Sequence, residues 1–323
     1  RFRHQSGVFH RDARSGGGLS GWEALGIYRR SNVREDRRVR GYASSSSRLT
    51  HIRSAFVRRL FLLSHEPMAI DREQIEANLR QHVDRLAGQI GVRTLKHSGT
   101  MEATARYIED VWAGVGWSVR REHFDAIGDP AMNLVVEKAG AKRPEEIVLL
   151  GAHYDTVSTT PGADDNASAV AVLLEVSRLL ANHEAKRSVR YVAFACEELP
   201  YSHHDAMGSQ HHARQARQIG ETIVGMLCLE MVGYFTLAEG SQSVPPAIPT
   251  WLHPIFPKRG DFLAAVGNLQ SWNLCRKFRQ GFKRGTGRLP LFPICLPEKI
   301  KDIRRSDHSS FWDQGYPALM LTD

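Results

Sequence analysis

From Asn133 onward, short apolar runs alternate with segments of helical length, and most of the apolar runs close on acids or histidines. Residues 133–137 (Asn-Leu-Val-Val-Glu) and 147–151 (Ile-Val-Leu-Leu-Gly) have the length and apolar density of strands buried on both faces. Residues 167–180 are an apolar segment long enough for a helix, and 189–196 is a further strand candidate. Helical patterns at 207–218 and 268–283 then alternate with strand patterns at 223–231 and 318–322. Such alternation restricts the chain to the α/β class. The expected architecture is a three-layer α/β/α sandwich with a mixed, largely parallel central sheet and helices on both faces. Residues 243–257, rich in proline, predict a long loop.

The segment before this pattern divides in two. From Asp71, an N-cap with Gln74 as its partner three residues on leads into Ile75, Leu79, Val83, Leu86 and Ile90 at helical spacing. A second helix is expected over residues 101–113, ended by Gly114 and Gly116. Residues 1–70 show no sustained period and include Gly16-Gly17-Gly18 and Ser44-Ser45-Ser46-Ser47. They read as a disordered, transit-type or mis-started leader, with 71–323 as the folded domain. The leader also explains the net charge of +8: it holds fourteen Arg, no Lys and five acids, a net of +9. The remaining residues are nearly neutral, so the basicity points to no nucleic-acid face. No apolar run approaches a membrane span. No secretory pattern is visible, which favours the cytoplasm. Cys196, Cys228, Cys275 and Cys295 form no Cys-x-x-Cys pair and read as isolated thiols.

The chemistry sits where the apolar runs end. The clusters are Gly151-Ala-His153-Tyr-Asp155, Pro161-Gly-Ala-Asp164-Asp165-Asn166, Cys196-Glu197-Glu198 and Leu229-Glu230-Met231. Ser306-Asp307-His308 precedes the last strand. In an open α/β sheet such ends converge on one crevice. Two histidines and three carboxylates suit zinc, and two ions about 3.5–4 Å apart require a bridging carboxylate. At a strand end, one of two adjacent glutamates can ligate while the next reaches the water to be activated. Singly, each residue has an ordinary reading. His153 alone is a core histidine, the glutamates a solvated strand end, and 164–166 a turn or cap. Their joint occurrence beside apolar strands, where acids are costly, carries the argument. His203, His204, His211 and His212 form a second histidine-rich patch, which reads as a rim loop.

In order and spacing these motifs resemble the two-zinc aminopeptidases of metallopeptidase family twenty-eight, bacterial type, across residues 71–323. The resemblance implies a zinc exopeptidase fold and hydrolysis of peptide or aminoacyl amide bonds, with two zinc ions as cofactors. It implies that His153 and Glu230 hold one ion, Glu198 and His308 the other, and that Asp165 bridges them. Glu197 is then the general base and Asp155 orients His153. The sequence departs from the family pattern in three places. It has Glu230 where Asp is common and Ala169 where Gly is usual. It also ends at Asp323, where a loop and helix usually follow, so the domain is expected to be C-terminally truncated. Two alternatives remain: a glutaminyl-cyclase-like acyltransferase on the same fold, and a catalytically dead binding module. Neither a nucleic-acid nor a membrane partner is expected, and the oligomeric state is left open.

Overall fold

A computed structural model describes residues 71–323 except 98, 203–204, 245, 247 and 286–288. The readings of residues 1–70 and of His203 and His204 lie outside the described residues. Asp71 Oδ1 accepts the backbone N–H of Gln74 at 3.1 Å and starts helix α1 (Arg72–Val83), which runs on through a wider helical stretch to Ile90. Helix α2 (Thr100–Gly114) follows, and Gly116 takes the left-handed φ of 88° just beyond it.

Eight strands form one sheet among the described residues. They are β1 (Arg120–Ala126), β2 (Asp129–Lys138), β3 (Arg143–His153), β4 (Arg187–Phe194), β5 (Thr222–Leu229), β6 (Leu263–Asn268), β7 (Leu291–Leu296) and β8 (Ala318–Thr322). Their order is β1-β2-β4-β3-β5-β8-β6-β7. The centre is parallel: β4 and β5 flank β3, and β8 pairs with β5, all in the same direction. Antiparallel pairings join β1 to β2, β2 to β4 and β6 to β8. The sheet is mixed, as expected.

Successive strand residues feed two separate apolar layers. Leu134, Val136, Tyr191 and Ala193 pack into one layer, and Val135, Val192 and Phe194 into the other. The first layer is closed by the helical stretch after α1 (Leu86, Ala87 and Ile90), by α2 and by α3 (Ala169–Leu180). Trp112, fully buried, anchors it and donates its indole N–H to Ser177 Oγ at 2.9 Å. The second layer is closed by α4 (Gly208–Gln218) and α6 (His308–Asp313). Helix α5 (Trp272–Gly285) sends Leu274, Cys275 and Phe278 into the first layer beside β6 and β7. Each fully buried large apolar side chain contributes about 1.5–3 kcal/mol, so this two-sided burial drives the sandwich.

Three strands escaped the pattern analysis, for two different reasons. Edge strand β1, Arg-Arg-Glu-His-Phe-Asp-Ala, is mostly polar and buries only Glu122 and Ala126. Strand β7 carries Pro293 and is half-buried throughout. Strand β6 ends at Asn268, where a helix was expected to begin; the helix starts four residues later. The long loop is present, and holds a short 3-10 turn at Thr250–Ile255.

A candidate metal centre at the strand ends

Strand β3 ends on His153, which is fully buried, and the next turn supplies Asp155. Strand β4 ends at Phe194, and the chain then bends sharply. Cys196 adopts φ 64°, a left-handed conformation uncommon for a residue with a side chain, and this turns Glu197 and Glu198 away from the strand direction. At the end of β5, Met231 takes φ 48° directly after Glu230. Left-handed non-glycine residues thus sit next to two of the acids, where the surrounding hydrogen bonds hold them.

Those bonds are specific. Asp155 Oδ1 accepts the backbone N–H of Glu197 and Oδ2 that of Glu198, each at 3.1 Å. Asn166 donates through Nδ2 to the Leu229 carbonyl at 3.1 Å and accepts the Met231 N–H at 3.0 Å, gripping the backbone on both sides of Glu230. Asp164 Oδ1 accepts from Gly233 N at 2.9 Å, and Ser168 Oγ from Val232 N at 3.1 Å. The Asp164-Asp165-Asn166 turn is stitched to the exit of β5, and Asp165 is carried to His153.

His153 Nε2 lies 3.3 Å from Asp165 Oδ1 and 3.4 Å from Glu230 Oε2, with Glu197 Oε2 at 4.0 Å. Nδ1 lies 3.4 Å from Asp155 Oδ1. His153, Asp165 and Glu230 offer donor atoms that all lie within 4.8 Å of one another. Both ring nitrogens of His153 and Asp165 Oδ1 are buried without a well-formed hydrogen bond. Unsatisfied buried donor atoms of this kind, His and carboxylate together, fit a divalent ion of the zinc type.

Charge supports the same fit. Burial by itself opposes protonation of His153, but Glu230, Asp155 and Asp165 outweigh it and hold the imidazole well above its ordinary value. Burial pushes the Glu197 carboxyl well up, against the pull of His153 and reinforced by Asp307 and Glu230. Glu198 is pushed up to about 7, again chiefly by burial. So many carboxyls beside one histidine cannot all ionise cheaply without a cation among them.

Glu198 and His308 are not members of the three-residue group. Glu198 still interacts electrostatically with His153 and Asp165. His308, implied as a ligand by the resemblance, is fully buried. Its Nε2–H donates to the Ile303 carbonyl at 2.7 Å, and its ring stands edge-on to Trp312 with centroids 4.5 Å apart. That bond leaves Nδ1 as the free lone pair of the ring, buried without a hydrogen-bond partner, and burial lowers the imidazole to about 4. The neighbouring Asp307 acts on the same centre electrostatically. It is fully buried, both of its oxygens lack a hydrogen-bond partner, and it interacts with His153, Glu230 and Glu197. Burial raises its carboxyl to about 7. Asn166 and Asn133, visible in the motifs but without a role there, both position the centre. Asn133 donates to Glu122 and to the Gly208 carbonyl, and its Oδ1 accepts the Ala195 N–H at 3.1 Å, pinning the turn before Glu197. His212, from the histidine-rich patch, is buried with Nδ1 2.8 Å from Glu122 Oε2, the oxygen that also accepts from Asn133.

Comparison with known proteins gives the same family as the motifs. The chain is 35% identical over 269 residues to the uncharacterized protein YfbL of Escherichia coli K12, covering 81% of this chain and 79% of that one. It spans about half the length of the fungal probable zinc metalloproteases it also matches. A zinc aminopeptidase from Bacillus subtilis shares the fold, with a TM-score of 0.55 and 15% identity over 76% of this chain and 84% of that one. So does an Acidobacteriales bacterium glutaminyl cyclase, with a TM-score of 0.56 and 19% identity over 80% and 83%. The model of Peptidase family M28 matches residues 133–323, which include every strand-end motif described above, and the chain belongs to that family of peptide-bond hydrolases.

Proposed function

We propose that the protein is a zinc-dependent exopeptidase of the aminopeptidase type, hydrolysing N-terminal peptide or aminoacyl amide bonds. The observation that carries this reading is the clustering of His153, Asp165 and Glu230, with the His153 nitrogens and Asp165 Oδ1 unsatisfied, beside the buried Glu197. A zinc ion bound there supplies a Lewis acid for the scissile carbonyl and acidifies water. Asp155 holds His153 by its Nδ1 edge and aims both glutamates through their backbone N–H groups. Glu197, displaced toward a higher proton affinity by burial, takes the water proton and returns it to the leaving amine. Ser306 donates to Glu230 Oε2 at 2.6 Å and fixes the carboxylate that faces His153. A second zinc ion would be held by Glu198 and His308, with Asp165 shared between the two ions, a reading supported by the unpartnered His308 Nδ1 and the electrostatic interaction of Glu198 with Asp165.

The cyclase fold likeness favours a second reading, intramolecular acyl transfer at an N-terminal glutamine. One experiment separates the two. The protein loaded with zinc is assayed by elemental analysis, with a panel of aminoacyl-nitroanilides and with a glutaminyl peptide. Zinc at one to two equivalents with nitroanilide hydrolysis supports the peptidase. Pyroglutamyl product without hydrolysis supports the cyclase, and absence of zinc uptake overturns both.

A further inference from the structure

We infer that Arg93 is the positioning residue that makes the centre competent to hold its metal, by tying the His153–Asp155 turn to the turn that carries Asp165. The inference rests on the zinc reading proposed above. Arg93 is fully buried, and no carboxylate forms an ion pair with it among the described residues. Its guanidinium is spent on backbone carbonyls. Nε donates to Tyr154 O at 2.8 Å, Nη1 to Leu86, Gly91 and Pro161 O at 3.1, 2.9 and 2.6 Å, and Nη2 to Gly162 O at 3.1 Å.

The identity of those carbonyls matters. Tyr154 lies between His153 and Asp155, and Pro161 and Gly162 lie just before Asp164 and Asp165. A single planar group thus links both turns and the helical stretch after α1. Its backbone is locked to the same turn: Arg93 N donates to Thr156 Oγ1 at 3.0 Å, and Thr156 N to Arg93 O at 2.8 Å. Gly162 is part of the joint. It takes φ 58°, and a Cβ there would lie 2.1 Å from Asp165 O, 2.4 Å from Thr156 Cγ2 and 3.1 Å from Arg93 Nη2. Only glycine lets the two turns close to this distance.

A buried guanidinium without a carboxylate partner is costly for stability alone. Placed here, its charge acts on Asp155 and Asp165 while leaving their oxygens free for His153, the glutamate N–H groups and a metal. Lysine carries the same charge with three donors on a point ammonium, so it cannot span these carbonyls. Charge and geometry can therefore be separated by one substitution.

The test is zinc affinity of the full chain by competition with a chromophoric chelator, run beside thermal melting of the metal-free protein. Arg190→Lys is the control, a buried arginine whose partners Glu137 and Glu221 lie away from the centre. Arg93→Lys should bind zinc about 10–100-fold more weakly than wild type. Arg190→Lys should lower the melting temperature and keep wild-type affinity. Equal zinc affinity in Arg93→Lys and wild type overturns the inference while the zinc reading stands; a wild-type chain that binds no zinc overturns both. If Arg93→Lys fails to fold, the near-isosteric Thr156→Val decides. It removes only the acceptor of Arg93 N, so weakened zinc binding supports the inference and unchanged binding overturns it.

Discussion

Asp155 holds Glu197 by its backbone: the carboxylate of the first accepts the N–H of the second at 3.1 Å, while the same oxygen faces His153 Nδ1 at 3.4 Å. The residue that orients the histidine therefore also sets the position of the base. Asp155→Asn retains one carbonyl acceptor and turns an amide N–H toward one of these donors. We expect kcat/KM to fall by at least about a hundredfold and zinc affinity by about tenfold or more. Wild-type kinetics in this variant would show that the contact is incidental.

The two glutamates should separate by function. Glu197→Gln keeps the shape and removes the base, so turnover should drop by about a hundredfold to ten-thousandfold with zinc content retained. Glu198→Gln should lose zinc. Elemental analysis of both variants checks the assignment, and zinc loss in Glu197→Gln alone would reverse it.

His308 should report on the acid stability of the metal-free protein. Burial holds its folded value near 4, below the ordinary 6.5, so the fold favours the neutral ring. Its contribution is complete above about pH 6.5 and is lost as pH falls toward 4, by at most about 3 kcal/mol. Urea midpoints of the metal-free protein between pH 7 and 4 should fall less steeply in His308→Asn than in wild type. Equal slopes in the two proteins would remove this histidine from the acid limb.

Gly208 opens α4 against the exit of β4. A Cβ there would lie 2.1 Å from Asn133 Oδ1 and 2.6 Å from Ala195 O, with no room for either to move freely. Gly208→Ala should cost about 1–3 kcal/mol and depress activity as well, because Ala195 leads directly into Glu197. Thermal melting and kcat/KM of the variant would check both; an unchanged melting temperature would contradict the packing described.

The order of apolar runs determined the α/β sandwich, because a strand buried on both faces has no polar alternation and can be read directly from composition. The same logic marked His153, Asp155, Asp165, Glu197, Glu198, Glu230 and His308 as candidates, since acids and histidines beside such strands are conspicuous, and the fold brings His153, Asp165 and Glu230 together. Strands β1 and β7 stayed hidden because edge positions tolerate charge and proline, so their sequences carry no burial signal.

What only the tertiary structure decided is which atom of each site residue is left without a partner. The start of α6 buries Asp307 and His308 side by side and turns the His308 Nε2–H to the Ile303 carbonyl, which leaves Nδ1 as the nitrogen without a partner. Arg93 lies 60 residues before His153 and 72 before Asp165, with nothing local to mark it. Its role arises from five carbonyls that meet only after the chain has closed. Side-chain direction and long-range backbone contacts are properties of packing, and a linear pattern of residue types does not encode them.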